Sequence, residues 1–183
     1  MNLSFGGAAT ASLVEHSRQG NVFCSYSTGV TSLPAYTATA LGPMIWNGNT
    51  QNPQLKAVLI GISVAVTTAS GAAVSVGLVW GKGQTTPLGA TTAATLTSST
   101  LANGNAPTCS SYISATVKTA GIGYMPLVSL PTTAITALPL ADVWIPLDGS
   151  IIIPQGSWVA LAAGATATSA VLDVAMVWAE VKY

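Results

Sequence analysis

Residues 56–68, KAVLIGISVAVTT, sort their side chains into two rows. Val58, Ile60, Ile62, Val64 and Val66 form one; Ala57, Gly61, Ser63 and Ala65 form the other, interrupted by Leu59. A repeat of two is the period of a β-strand, whose successive side chains point to opposite faces. The bulky row can fill a core. The other row carries nothing charged and little that is large, which suits close packing against another protein layer. The design recurs at 72–80, where Val74, Val76, Leu78 and Trp80 oppose Ser75 and Gly77. It recurs again at 170–181, where Leu172, Val174, Met176 and Trp178 oppose Asp173, Ala175 and Ala179, with Val177. Three strands of this kind predict two sheets on a common core. Val58, Ile60, Ile62, Val64, Val76, Leu78, Val174, Met176 and Trp178 are expected inside it.

No stretch shows the i, i+3, i+4 apolar spacing of a long amphipathic helix, while Gly and Pro recur throughout. The chain therefore reads as all-β and mostly antiparallel. Strands are predicted over 12–16, 21–25, 35–40, 56–68, 72–80, 112–119, 140–146, 150–153, 157–163 and 170–181. The 56–68 and 72–80 strands are expected to form a hairpin through Ala69-Ser70-Gly71, whose Gly accepts a positive φ. Residues 81–107, rich in Thr, Ala and Gly with Lys82 their one charge, read as weak strands or as an arm held by a neighbouring subunit. Residues 47–53 read as a turn-rich loop. At 183 residues, with no internal repeat and no boundary signal, the whole of 1–183 is expected to be one domain. Residues 1–20 and 81–107 are its candidate extended segments.

Composition sharpens the picture. Half the residues are hydrophobic and only 5% are charged, against about 25% in an ordinary soluble domain. Thr, Ser, Gly and Ala make up the balance, so the surface should be neutral and hydroxyl-rich, with little charge repulsion to resist association. The net charge is zero, and Arg18, Lys56, Lys82, Lys118 and Lys182 are scattered. No cluster can neutralise several phosphates, and residues 1–20 hold no basic arm, so direct nucleic-acid binding is not expected. A mean hydropathy of +0.57 raises the question of a membrane. A helical span needs about 18 consecutive apolar residues, and the longest run without a strongly polar side chain, 57–66, is too short. The first residues also lack the basic and apolar regions of a signal peptide, so synthesis in a host cytoplasm without one is expected. Cys24 and Cys109 have no CxxC spacing and read as buried free thiols.

Candidate chemistry is sparse. His16, between Glu15 and Ser17, invites a triad, but neighbours on a strand point to opposite faces and cannot converge. Asp142 and Asp148 are the best pair for sugar hydrolysis, yet Asp148-Gly149 also reads as a turn. Glu15, Asp173 and Glu180 are isolated acids. No calcium loop, zinc spacing or phosphate-cradling motif is present, and Gly121-Ile122-Gly123 is only a fragment of a dinucleotide signature. No enzymatic role is expected, and no catalytic, cofactor-binding or metal-binding residue is nominated. Trp46, Trp80, Trp144, Trp158 and Trp178 are the aromatics from which a carbohydrate groove would be built, although core burial is the default for Trp80, Trp158 and Trp178.

Residues 147–183, LDGSIIIPQGSWVALAAGATATSAVLDVAMVWAEVKY, run from a turn and a short apolar strand through a Pro-Gln-Gly turn to a Trp-led strand. An Ala/Thr loop and a long final strand ending VWAEV follow. This resembles the closing hairpin of jelly-roll structural proteins in tailed-bacteriophage virions. The resemblance covers about the last fifth of the chain, and its motif is moderately specific. It implies a β-sandwich, first of all an eight-stranded single jelly roll, in a trimeric or higher assembly. The expectation that follows is a capsid decoration (cement) protein on the outer capsid surface, a homotrimer whose partners are itself and the major capsid protein. A jelly-roll major capsid protein, a tail or fibre component and a carbohydrate-binding spike domain are the alternatives.

Overall fold

The computed structural model describes residues 15, 19–48, 54–69, 74–83, 89, 91–93, 95–98, 106–130, 141–165 and 167–182. Twelve strands lie among them: β1 Val22–Leu33, β2 Ala40–Leu41, β3 Met44–Trp46, β4 Leu55–Thr68, β5 Val74–Gly81 and β6 Thr91–Ala93, then β7 Thr95–Ser98, β8 Ser110–Thr116, β9 Gly123–Leu130, β10 Ala141–Ile153, β11 Trp158–Ala163 and β12 Ala167–Lys182. They form two antiparallel sheets packed face to face. The first runs β10-β4-β12-β1-β7; the second runs β2-β8-β3-β11-β5-β9, with β6 also on β8. The all-β sandwich expected from the two-residue period is what the chain adopts.

Between the sheets lies one cluster in which Ile62, Val64 and Val66 of β4 and Leu172, Val174, Met176 and Trp178 of β12 meet Val76 and Leu78 of β5 and Val159 and Leu161 of β11. Phe23 of β1 packs on Trp178, ring centroids 5.8 Å apart. Seven of the nine nominated core residues belong to this cluster. Val58 and Ile60 do not, and the cause is a bulge. Val177 pairs with Gly61 and Trp178 with Leu59, so Ile60 is an extra residue in β4. One added residue flips the face that follows it. Before Ile60 the odd positions, Ala57 and Leu59, point inward; after it the even ones do. Leu59, out of place in the row of small residues, marks that flip. β10 answers the bulge with four residues, 147–150, opposite Ile60. Asp148 (φ 46°) and Gly149 (φ 75°) turn the chain there, which merges the strands expected at 140–146 and 150–153 into one.

The hairpin expected at 56–80 does not form. β4 pairs with β10 and β12, whereas β5 pairs with β11 and β9 in the other sheet. Their bulky rows face one another across the core instead of lying side by side. The closing segment behaves the same way: β10, β11 and β12 alternate between sheets. Most of the strand expected at 35–40 is a turn, with Ala38 N–H donating to Ala35 O at 2.9 Å. Of the strand expected at 12–16 only Glu15 is described. Its carbonyl accepts Gln19 N–H at 3.0 Å, four residues on, which is a helical-turn bond. Of residues 81–107, β6 and β7 are short strands of this subunit's own sheets. The remainder, Gly81–Gly83, Gly89, Ala106 and Pro107 apart, falls outside the described residues.

Candidate interaction surfaces

The outer faces of the two sheets differ. That of the second sheet carries its own apolar cluster, in which Val79, Trp158, Ala160 and Ala162 gather with Leu41, Met44 and Val117. Ala160 and Ala162 have no exposed surface, so the chain itself closes this side. Tyr36 stacks on Tyr124, centroids 4.7 Å apart, and the Tyr124 hydroxyl donates to Ser75 O at 3.0 Å.

The outer face of the first sheet is left open. Its registered rows run Trp144–Ser63–Ala175–Tyr26 and Pro146–Gly61–Val177–Cys24 across β10, β4, β12 and β1. Trp144 is 50% exposed and Tyr26 46%, while Ser63, Ala65, Ala175, Val177 and Cys24 between them are half-buried. The profile is an aromatic ridge at each side of a shallow trough. A Cβ on Gly61 would fall on the Trp144 ring, so Trp144 lies across that glycine and turns its other ring face outward. Asp173, also on this face, accepts Gly29 N–H at 2.8 Å. Gly29, at φ 64°, belongs to a bulge that sets Thr28 and Gly29 of β1 against Asp173 alone. Lys56, near one end of β4, is also on this face, and the exposed Asp148 lies in the bulge beside Val58.

A second surface is an apolar groove of about 380 Å³ where the edge strands β9 and β10 approach. Trp80, Ile122, Met125, Ile152, Pro154 and Trp158 line it, with Lys82 beside them. Trp80 rests on Gly123 as Trp144 does on Gly61. Both edge strands carry devices that discourage pairing with another strand. β10 has Pro146 and its 147–150 bulge; β9 has an exposed Pro126 and an extra residue, Leu127.

Of the residues weighed for chemistry, Asp142 and Asp148 are held apart along β10. From Ala141 to Pro146, β10 pairs residue by residue with β4, and Asp142 lies opposite Ala65. Four extended residues, Asp142 to Pro146, set the backbone of Asp142 roughly 13 Å along β10 from the bulge that holds Asp148. His16 lies outside the described residues. Trp46, Trp158 and Trp178 are buried, which leaves Trp80 and Trp144 as the tryptophans with an open ring face. No cluster of three or more His, Cys, Asp or Glu that could hold a metal lies among the described residues. No helix among them is long and apolar enough to cross a membrane.

Two polar residues do more than their sequence suggests. Glu180 is 6% exposed. Its carboxylate accepts Thr108 N–H at 2.9 and 3.0 Å and Cys109 N–H at 2.8 Å, and Trp178 Nε1–H at 3.5 Å. It latches the start of β8 onto β12. Neither cysteine forms a disulfide. Burial pushes the Cys109 thiol well above its ordinary range, and the charge of Glu180 and a hydrogen bond to it add to the shift. Burial also raises Cys24, which is half-buried on the open face rather than fully buried. Asn47 is fully buried: its Nδ2 donates to Leu55 O at 3.1 Å and Ile153 O at 3.0 Å, joining the ends of β3, β4 and β10.

Compared with family models, with curated proteins and with solved structures, the chain has no match in any of the three.

Proposed function

We propose that this chain is a bacteriophage virion structural protein, a capsid decoration (cement) protein that clamps major-capsid subunits from outside as a homotrimer. The observation that carries the reading is the open outer face of the first sheet, largely small and apolar with Asp173 and Lys56 among its few charges, paired with an opposite sheet that covers itself. Clamping needs broad shape-complementary contact rather than a reacting group, and apolar area contributes roughly 25 cal/mol per Å² removed from water. The nested strand order also supports the jelly-roll reading. β10-β4-β12-β1 faces β3-β11-β5-β9, four strands against four, with the successive strands β9 to β12 alternating between sheets. The scattered basic residues support a place outside the shell, away from packaged phosphate.

The test is copy number and radial position in intact particles, by quantitative mass spectrometry and cryo-electron microscopy. A decoration protein is present in many copies on the outer surface, and stripping it lowers capsid stability without dismantling the shell. A few copies confined to the tail would defeat the cement reading, and absence from any particle would defeat the viral one. Trp80 and Trp144, each with an open ring face, support the carbohydrate-binding alternative. A glycan array in which binding is lost in Trp144→Ala or Trp80→Ala would favour it.

A further inference from the structure

We infer that the outer face of the β10-β4-β12-β1 sheet is where one copy of this chain packs on the next, the Trp144 ridge of one copy seating over the Ser63–Ala65–Ala175 trough of its neighbour. The inference rests on the self-assembly in the proposed function and adds which surface carries it.

Four features select this face and this occupant. First, it is the open one, since the second sheet has its outer face closed by its own chain. Second, its size fits. The four strands hold 13, 14, 16 and 12 residues. The register sets β10 and β1 beside the same ten or so residues of β4, 57–66; at about 3.3 Å per residue and 4.8 Å between strands the shared face is roughly 630 Å², about four-fifths of the roughly 800 Å² per partner of a stable interface. Third, the Trp144 side of the face and its trough are complementary in shape, and Asp173, at the trough, already has the Gly29 N–H as partner. The row Trp144–Ser63–Ala175–Tyr26 alternates ridge, trough, trough and ridge, and packed sheets interdigitate such profiles about 10 Å apart. Ser, Ala and Gly in the trough let the second backbone approach closely. Fourth, the exposed edges of β10 and β9 carry proline and bulges, which turns association away from those edges and toward the faces.

Cys24 lies on this face, in the row with Val177 and Gly61, and is a built-in reporter. Cys109 is buried in the subunit itself, so Cys24 is the thiol that responds to coverage from outside. The experiment is sedimentation of the full chain over a range of concentrations, with alkylation of Cys24 followed by mass spectrometry on the same samples. In the assembled wild type the Cys24 reaction should slow about tenfold or more relative to the dissociated chain, because a covered thiol is withheld from reagent. Ala175→Arg sets an unpaired charge in the contact and should weaken assembly about a hundredfold, with Cys24 reacting freely. Circular dichroism checks that this variant keeps its sheets. Trp144→Ser removes the ridge from an outward position and should also weaken assembly and expose Cys24. Ile122→Arg, in the groove, should leave both readouts as in wild type.

A monomer at every concentration overturns the inference. So does an oligomer in which Cys24 stays reactive, or one dissolved by Ile122→Arg but not by Ala175→Arg. The failure of the virion reading looks different: the chain would be missing from particles while the purified oligomer still protected Cys24, and that result supports the inference.

Discussion

Replacing Glu180 with alanine removes the acceptor that the part-buried Thr108 N–H and the buried Cys109 N–H share at 2.8–3.0 Å. Hydrogen bonds to a charged group contribute about 1.5–3 kcal/mol each, so the pair is worth roughly 3–6 kcal/mol before compensation. Relieving the burial of a carboxylate returns part of that. A net loss of about 3 kcal/mol is expected, a large share of the roughly 5–15 kcal/mol that holds a domain together. In urea, with a slope of about 2 kcal/mol per molar, the midpoint should fall by about 1.5 M at constant slope. Glu180→Gln keeps one oxygen but turns an NH₂ toward a donor, and should fall about half as far. Wild type and variants must be compared at one protein concentration, because assembly adds to apparent stability. A second readout separates the latch from a general weakening. Cys109 follows the latched residue, so its alkylation under native conditions should accelerate in Glu180→Ala well below the unfolding midpoint. A midpoint shift under about 0.5 M, near 1 kcal/mol, with Cys109 still protected, would refute the latch.

Three further outcomes are expected. Gly77→Ala should cost about 2 kcal/mol or more, because its Cβ meets the backbone of Met125 and Pro126, whereas Gly61→Ala meets mainly the half-exposed Trp144 ring, which can swing aside, and should cost about 1 kcal/mol or less; thermal melts of the two variants give the ranking. Above the ordinary thiol value of 9.0 the unfolded chain releases the Cys109 proton while the folded chain keeps it, so the raised thiol favours the fold below that pH and the advantage is lost as pH rises. Denaturation from pH 8 to 11 should show an alkaline fall in stability that flattens by up to about 1.4 kcal/mol per pH unit in Cys109→Ala. Asn47→Ala leaves the carbonyls of Leu55 and Ile153 without their donor and should lower stability by about 2–3 kcal/mol in urea titration.

What the sequence made legible was the facing of side chains. Val64, Val76, Leu78, Met176 and Trp178 point inward because a two-residue period fixes facing wherever one face is buried. Pairing was not legible. The link from β4 to β5 was read as a hairpin because its short, Gly-containing loop suits one, but loop length does not say whether the next strand joins the same sheet. β3 is too short to display a period, and Pro126 disguises β9. The bulge at Ile60 left one trace, Leu59 among small residues, and Glu180 left another. It sits two positions beyond Trp178 on the inward row of β12, where a charge must find buried partners. For the open face, the small residues of β4 and β12 could be read, but the row they make with Trp144 and Tyr26 depends on bringing β10 and β1 alongside.

Among the described strands, no two that follow one another in the chain pair with one another. Folding therefore has no local hairpin to begin from. β4 must wait for β10 and β12, and β1, which β7 pairs on one side, must wait for β12 on the other. Large loops have to close before any of these contacts compensates for the lost chain entropy, a property that slows folding by orders of magnitude at equal stability. A ribosome-bound chain would hold β4 unpaired until β10 emerged. With charged side chains at 5% of residues, little repulsion keeps such chains apart meanwhile. The yield of folded subunit should consequently depend on the rate and temperature of synthesis more steeply than the stability of the finished sandwich would suggest.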